Sequence, residues 1–353
     1  MSEFITLEKK DPRFASYLLG SFSRDYRAIP VRSLHINSSA EQVTFQVVPN
    51  SELQRPNLLK ILVQVGRLDL LSLTLMPPLV VWALFGFTSE AVLALVSLFF
   101  LHAAFFARND YVDHVRGVDR LNEKGGSRVI QRGWLRAMTV RRCFYGFAVS
   151  SILSALPILK NHPALAATSL FAGLFGAYGY SHLRWSRSGW LLGGLSLFMC
   201  LGPLLALGGF ELSLRVLAVN SHLIGIEFLP ILIGVVFGLL AVIYVETRHL
   251  ISLVVDDEAD LQTLPVRFGF DRAKVILAFL AVATAGLFFL LGFCLFHFLG
   301  LAMALPMSLL ILQLGHGIYK VNSPLSSALP RWLDRAIQLH FAMGLLLILL
   351  CRF

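Results

Sequence analysis

The sequence predicts an all-α integral membrane protein, a bundle of nine transmembrane helices with a small cytoplasmic N-terminal extension. Three observations predict it. Of 353 residues, 56% are hydrophobic and 14% charged, whereas soluble domains carry about 25% charged residues. The apolar residues fall in long stretches of about 20, the length a helix needs to cross the hydrocarbon core of a bilayer. The basic residues are distributed unevenly between the alternate sides of those stretches. Disorder, a collagen-like chain and a disulfide scaffold are excluded by the same composition. Cys143, Cys200, Cys294 and Cys351 lie singly in apolar surroundings and read as packing residues.

The N-terminal extension, residues 1–64, is polar and carries no apolar core behind a basic tip, so it does not read as a cleaved signal. Val43, Phe45 and Val47 alternate with Thr44 and Gln46, a strand pattern, while Asp25 to Pro30 reads as loop. A small cap or a disordered tail is expected here. Residues 65–353 form the membrane domain, with spans at roughly 68–87, 91–107, 141–159, 163–181, 189–210, 223–245, 274–297, 299–316 and 335–351. An odd number of spans puts the termini on opposite sides. Of 30 Lys and Arg residues, 27 fall on the N-terminal side of that arrangement, against Lys160, Arg215 and Arg352 on the other. The positive-inside rule then makes the N-terminus and the loops after spans 2, 4, 6 and 8 cytoplasmic, in the cell (inner) membrane. The net charge of +9 is explained by this topology, and no nucleic-acid partner is expected.

Two of those loops collect acids. In the first, directly after span 2, a continuing helix places Asn109 and Asp113 one turn apart and Asp110 three residues before Asp113. Gly117 can break that helix and let Asp119 fold back. In the second, after span 6, Asp256 and Asp260 share a helical face at i,i+4 spacing while Asp257 and Glu258 point elsewhere. Like charges one turn apart repel, so two such clusters on one side of the membrane call for a cation between them. Hard oxygen ligands suit Mg²⁺, held by one or two carboxylates together with substrate phosphates. Lys124, Arg128 and Arg132 after the first cluster and Arg267 after the second can neutralise a diphosphate. A magnesium diphosphate site at the mouth of a helical bundle is the expected chemistry. Solvated loop charges are the plainer account of either cluster alone. His102, on the same face of span 2 as Asn109, reads as a packed or hydrogen-bonded histidine. Aromatic residues make up 12% of the chain; most are core or lipid-facing, and a subset lining a cavity can stabilise a carbocation through ring faces.

These residues resemble the UbiA-type intramembrane prenyltransferases. The resemblance rests on Asn109-Asp110-x-x-Asp113 after span 2, Asp256-x-x-x-Asp260 after span 6, Arg67 with Pro77, Tyr180-Ser181, Gly202-Pro203 and the run Thr263 to Gly269. The run from Asn109 to Asp119 with Gly117, followed by Gly126-Ser127-Arg128, is similar to the 1,4-dihydroxy-2-naphthoate polyprenyltransferase branch of menaquinone synthesis; enzymes for 4-hydroxybenzoate usually carry Asp where Gly117 stands. The resemblance implies that Asn109, Asp110, Asp113, Asp256 and Asp260 hold a polyprenyl diphosphate through Mg²⁺. It implies that Arg67, Lys124, Arg128 and Arg267 assist directly or support the loops, that Tyr180 lies at the substrate, that Asp119 lies near the acceptor or helps close the loop, and that an aromatic ring attacks the allylic cation. Two departures stand out. Ser252 replaces the Asn or Asp usual four residues before the second acidic pair, and only Leu261-Gln262 separates Asp260 from Thr263. A 4-hydroxybenzoate acceptor, or a non-catalytic or transport protein on the same scaffold, are the competing readings. Transport predicts ionisable residues near the bilayer midplane, whereas these acids sit at span ends.

Overall fold

The structure, a computed structural model, describes residues 3–36, 38–121, 125–162, 165, 176, 179–217 and 228–351. The chain divides into two compact units, one made of residues 1–69, 100–150 and 254–261, the other of 70–99, 151–253 and 262–353.

In the first unit the N-terminal extension is folded. Strands β1 (Glu3–Glu8), β2 (Tyr26–Leu34) and β3 (Gln42–Pro49) form an antiparallel sheet in the order β1-β3-β2, with helix α1 (Phe14–Leu19) between β1 and β2. The alternation expected around Phe45 is β3, the central strand; Val43, Phe45 and Val47 are buried, Val43 and Phe45 packing with Leu7 of β1 and Phe14 and Leu18 of α1. The loop expected at Asp25–Pro30 is instead largely strand, since β2 starts at Tyr26. Its pairing with β3 shifts register between Pro30 and Arg32, where proline has no N–H to give the ladder.

Helix α2 (Leu58–Val65) follows, its N-terminus capped by Asn57, whose side chain accepts from the Lys60 amide at 2.9 Å. Ile61 and Val65 of α2 pack with Ala107, Val129, Ile130, Ala137 and Val140. These residues seat the end of helix Ser89–Val115, which carries the first acids, and the loop that follows it.

The second unit is helical. Helices α3 (Ser72–Phe85), α4 (Ser89–Val115), α5 (Val118–Leu121), α6 (Ala137–Asn161), α7 (Tyr180–Leu183), α8 (Gly189–Leu201), α9 (Pro203–Leu217), α10 (Phe228–Ile251), α11 (Leu253–Glu258), α12 (Leu264–Phe268), α13 (Phe270–Tyr319) and α14 (Ala328–Leu350) complete the chain. Of these, α5, α11 and parts of α4 and α6 belong to the first unit. Trp82 of α3 is buried and donates its indole N–H to the Gly209 carbonyl of α9 at 2.9 Å. A side chain at Gly202 would run into the backbone of Gly234 and Gly238, so the α8–α9 junction packs directly on α10.

Among the described residues, seven helical segments are long and apolar enough to cross a membrane: Leu68–Phe85, Ser89–Val115, Ala137–Asn161, Gly189–Ser213, Phe228–Ile251, Phe270–Tyr319 and Ala328–Leu350. Phe270–Tyr319 holds two of the expected spans, separated at His297, whose φ of 48° and ψ of −127° interrupt the helix. Most of the expected span at 163–181 lies outside the described residues. Multiple apolar helices mark a multi-pass membrane protein.

Candidate active site

The first acidic segment forms the end of α4. The helix runs on past the expected span to Val115, so Asn109, Asp110 and Asp113 lie on consecutive turns and all three are buried. Asn109 donates from its amide nitrogen to Asp113 Oδ2 at 2.8 Å. This is the i,i+4 contact expected, made as a hydrogen bond that fixes the Asp113 carboxylate. Asp110 turns to the loop that follows: the Ser127 amide N–H is shared between its two carboxylate oxygens at 3.3 and 3.2 Å. Charge-assisted bonds of this kind orient a carboxylate firmly.

Gly117 breaks the helix with φ +92°, and a Cβ there would lie 2.6 Å from Ile36 and 2.8 Å from the Arg120 guanidinium. The next residues form α5, which carries Asp119 into a buried position. Its carboxylate packs on Gly126, which has φ +63° and whose absent Cβ would stand 2.6 Å from Asp119 Oδ2. Arg128 closes the turn by donating to the Asp119 carbonyl at 2.7 Å. Its carboxylate thus abuts the residue preceding Ser127, whose amide meets Asp110.

Arg120 projects the other way. It pairs with Glu41 at 2.7 Å, both side chains being buried. Burial pushes Arg120 below its ordinary range, and the Glu41 carboxylate works in the opposite direction.

Arg67 sits in the left-handed region at φ 47°. Its guanidinium pairs with Asp69 at 3.3 Å, lies 5.9 Å from the centre of the Phe106 ring, and acts electrostatically on Asp110. His102 is the hydrogen-bonded histidine expected: its Nε2 meets the Arg67 carbonyl at 3.1 Å. Lys124 lies outside the described residues.

The second acidic segment, residues 254–261, belongs to the same compact unit as the first. Its local geometry corrects the sequence reading. Asp256 and Asp260 do not share a helical face, because α11 ends at Glu258. The Leu261 amide bonds to the Asp256 carbonyl at 2.8 Å and the Asp260 amide to the Asp257 carbonyl at 3.0 Å. That is the Schellman pattern, with Asp260 at φ 58° in the position usually held by glycine. Asp256 is buried and Asp260 exposed. Ser252, one turn before Asp256, bonds back to the Arg248 carbonyl at 3.2 Å.

The remaining predicted residues lie in the other unit. Tyr180 is buried in α7, its hydroxyl 3.5 Å from His249 Nε2 and its ring under the Arg184 guanidinium at 4.6 Å. Arg267 is exposed on α12. Sequence reasoning missed Ser127 as the partner of Asp110, and missed Glu41, Arg120, Arg184 and His249. Ser127, Glu41, Arg120 and His249 carry no local signal, since each acquires its partner across the fold, whereas Arg184 stands four residues from Tyr180, a helical spacing that the sequence does show.

Among the described residues, no three His, Cys, Asp or Glu side chains converge as a metal cage. The arrangement instead offers buried hard-oxygen donors on one helix end, with guanidinium groups beside them.

Comparison with known proteins gives this geometry a lineage. The model of the UbiA prenyltransferase family matches residues 70–342. The chain belongs to that family. Prenyl transfer is therefore its class of activity. The fold is similar to that of a UbiA homolog from Archaeoglobus fulgidus bound to geranyl diphosphate and Mg²⁺, with 20% identity, a TM-score of 0.53, and coverage of 81% of this chain and 99% of that one. The same homolog bound to dimethylallyl diphosphate and Mg²⁺ matches with 21% identity, a TM-score of 0.53, and coverage of 81% and 98%. A digeranylgeranylglyceryl phosphate synthase matches with 15% identity, a TM-score of 0.55, and coverage of 82% and 97%. No curated protein matches the chain.

Proposed function

We propose that this prenyltransferase moves a polyprenyl group from an allylic polyprenyl diphosphate to an aromatic acceptor, in a Mg²⁺-dependent reaction. The observation that carries this reading is the buried Asn109, Asp110 and Asp113 constellation, in one unit with buried Asp256. Burying several carboxylates is costly unless cations neutralise them. The donor set fits Mg²⁺, which does not need an all-protein cage: one or two carboxylates suffice when substrate phosphates supply the other oxygens. Asp110, Asp113 and Asp256 are the residues that would hold it, with Asn109 orienting Asp113 and Asp260 at the rim. When bound, the ion supplies Lewis-acid charge for the departing diphosphate.

The chain's own groups do the rest. The Ser127 amide holds the Asp110 carboxylate in one orientation. Arg67 and Arg128, with Lys124 and Arg267 as implied by the resemblance, balance diphosphate charge. Ionisation of the allylic C–O bond leaves a cation whose electron deficiency an electron-rich ring fills, forming the new C–C bond. In the naphthoate case the new bond replaces the carboxylate: the C–C bond to it breaks, carbon dioxide leaves, its electron pair restores the aromatic ring, and the diphosphate departs with the C–O pair. The resemblance counts Tyr180, buried beside His249 and Arg184, among the substrate-binding residues. Nine spans, a cytoplasmic N-terminus and an inner-membrane location belong to the same proposal, supported by the charge distribution.

For the acceptor, 1,4-dihydroxy-2-naphthoate is supported by the run from Asn109 to Arg128. The second reading is 4-hydroxybenzoate, because Gly117 has its own packing cause: Ile36 and Arg120 occupy the space a side chain would fill. Glycine there does not by itself select the acceptor. The test is prenyl transfer by purified protein with a polyprenyl diphosphate and either acceptor, with Mg²⁺ or EDTA, alongside Asp110→Ala and Asp256→Ala. Product from the naphthoate, lost with EDTA and in both variants, supports site and acceptor together. Product from 4-hydroxybenzoate alone keeps the site and overturns the naphthoate assignment. Metal-independent transfer, or full activity in both variants, overturns the site.

A further inference from the structure

The folded N-terminal sheet reaches the first acidic loop through one buried ion pair. Glu41, immediately before β3, is 3% exposed. Its Oε1 accepts from Arg120 at 2.7 Å and its Oε2 from Lys9 at 3.2 Å. Arg120 also donates to the Ser33 hydroxyl of β2 at 3.4 Å and to the Val115 carbonyl at the end of α4 at 3.3 Å. Lys9 after β1, Ser33 of β2, the residue preceding β3 and the α4–α5 junction therefore meet at two side chains. A second tie runs beside it: His114 Nε2 meets the Leu18 carbonyl of α1 at 3.0 Å, and Gln131 meets its Nδ1 at 3.4 Å.

A buried ion pair is a poor stabiliser, because the desolvation of both charges offsets most of their attraction. Its geometric consequence is larger. Arg120 is the neighbour of Asp119, which packs on Gly126 and accepts from Arg128 through its carbonyl; the next amide, Ser127, holds Asp110. The connection from sheet to acid is thus a short run of direct contacts. We propose that Glu41 is a positioning residue for donor binding: through Arg120 the sheet fixes the Asp119 turn and the Gly126–Arg128 segment, and so sets the orientation of Asp110. The N-terminal sheet is then a component of the diphosphate site. This rests on the reading of Asp110 as a donor-site carboxylate.

The experiment uses the full chain in detergent as wild type, Glu41→Gln, Arg120→Gln and the double variant, with Phe45→Leu as a variant that loosens the sheet core without touching the pair. Two quantities are read: hydrogen exchange of the amides in residues 125–130, and the affinity for geranyl diphosphate with Mg²⁺, followed by the split between KM and kcat. In Glu41→Gln, exchange at Ser127 accelerates and donor affinity falls, each by about 10-fold or more, the range found when an outer partner of a ligand is removed. KM carries the loss and kcat stays within about threefold, since the reacting groups remain. The double variant is no worse than the poorer single one, because the two act as a unit, and Phe45→Leu changes neither quantity. Unchanged exchange in Glu41→Gln overturns the proposal, as does faster exchange with unchanged donor affinity, or an equal loss in Phe45→Leu. If wild type itself binds no donor with Mg²⁺, the functional reading fails and takes the proposal with it. That case is recognised by the wild-type failure, while the exchange contrast between wild type and Glu41→Gln still reports the coupling.

Discussion

Replacing Gly117 by alanine tests the architecture of the first loop most directly. The backbone there has φ +92°, a conformation costing an L-residue about 1–2 kcal/mol. The added Cβ would also stand 2.6 Å from Ile36 Cγ2 and 2.8 Å from Arg120 Nη2. Overpacking of this kind costs about 1–3 kcal/mol. The Arg120 side cannot yield freely, because that nitrogen is committed to Glu41. Together these give a destabilisation of about 2–5 kcal/mol, lowering Tm by roughly 4–20 °C at 2–4 °C per kcal/mol. The assay is thermal unfolding in detergent, with donor affinity measured in parallel. Trimming the neighbour in Gly117→Ala/Ile36→Ala relieves one contact and recovers part of the loss relative to the sum of the two single variants. A Gly117→Ala protein that melts within about 1 °C of wild type and binds donor normally refutes the reasoning.

Asp110→Asn keeps the acceptor for the Ser127 amide but removes the charge, so prenyl transfer falls by about 100-fold or more with little change in Tm; activity within about threefold of wild type removes Asp110 from the site. Asp260→Gly relaxes a left-handed residue in a Schellman cap and stabilises the protein by about 1 kcal/mol, while transfer activity drops if its carboxylate serves the donor; a lower Tm contradicts the cap geometry. Trp82→Phe loses the indole bond to Gly209 and costs about 1–2 kcal/mol, read by chemical denaturation, with no effect on donor KM. Phe45→Ala empties the sheet core and costs about 3–5 kcal/mol, read as early loss of the sheet signal in circular dichroism.

The spans were legible because twenty apolar residues in a row admit little else, and eight of the nine expected segments coincide with described helices. The strand at Phe45 was legible from its strict alternation. Strand β2 was not, since Arg27, Pro30 and Arg32 break both composition and period, and its identity as a strand comes from pairing with β3. On the acid side, the contact between Asn109 and Asp113 followed from helical spacing. The same spacing misled at Asp256 and Asp260, because a helix end without glycine gives no warning in the sequence. Ser127 with Asp110, separated by 17 residues, and Glu41 with Arg120, separated by 79, could not be read at all: such pairs exist only once the loop and sheet have folded.

The length of α4 has a consequence for how substrates arrive. Its 27 residues measure about 40 Å, some 10 Å more than the hydrocarbon thickness of a bilayer. If Ser89 marks one boundary of that layer, Asn109 falls at the other, and the helix acts as a ruler that delivers its acids to the water line. A donor lying in the leaflet then keeps its tail in oil and its phosphates in water throughout the encounter. With the donor bound at these acids as proposed, its encounter with them follows the surface density of prenyl diphosphate in the membrane.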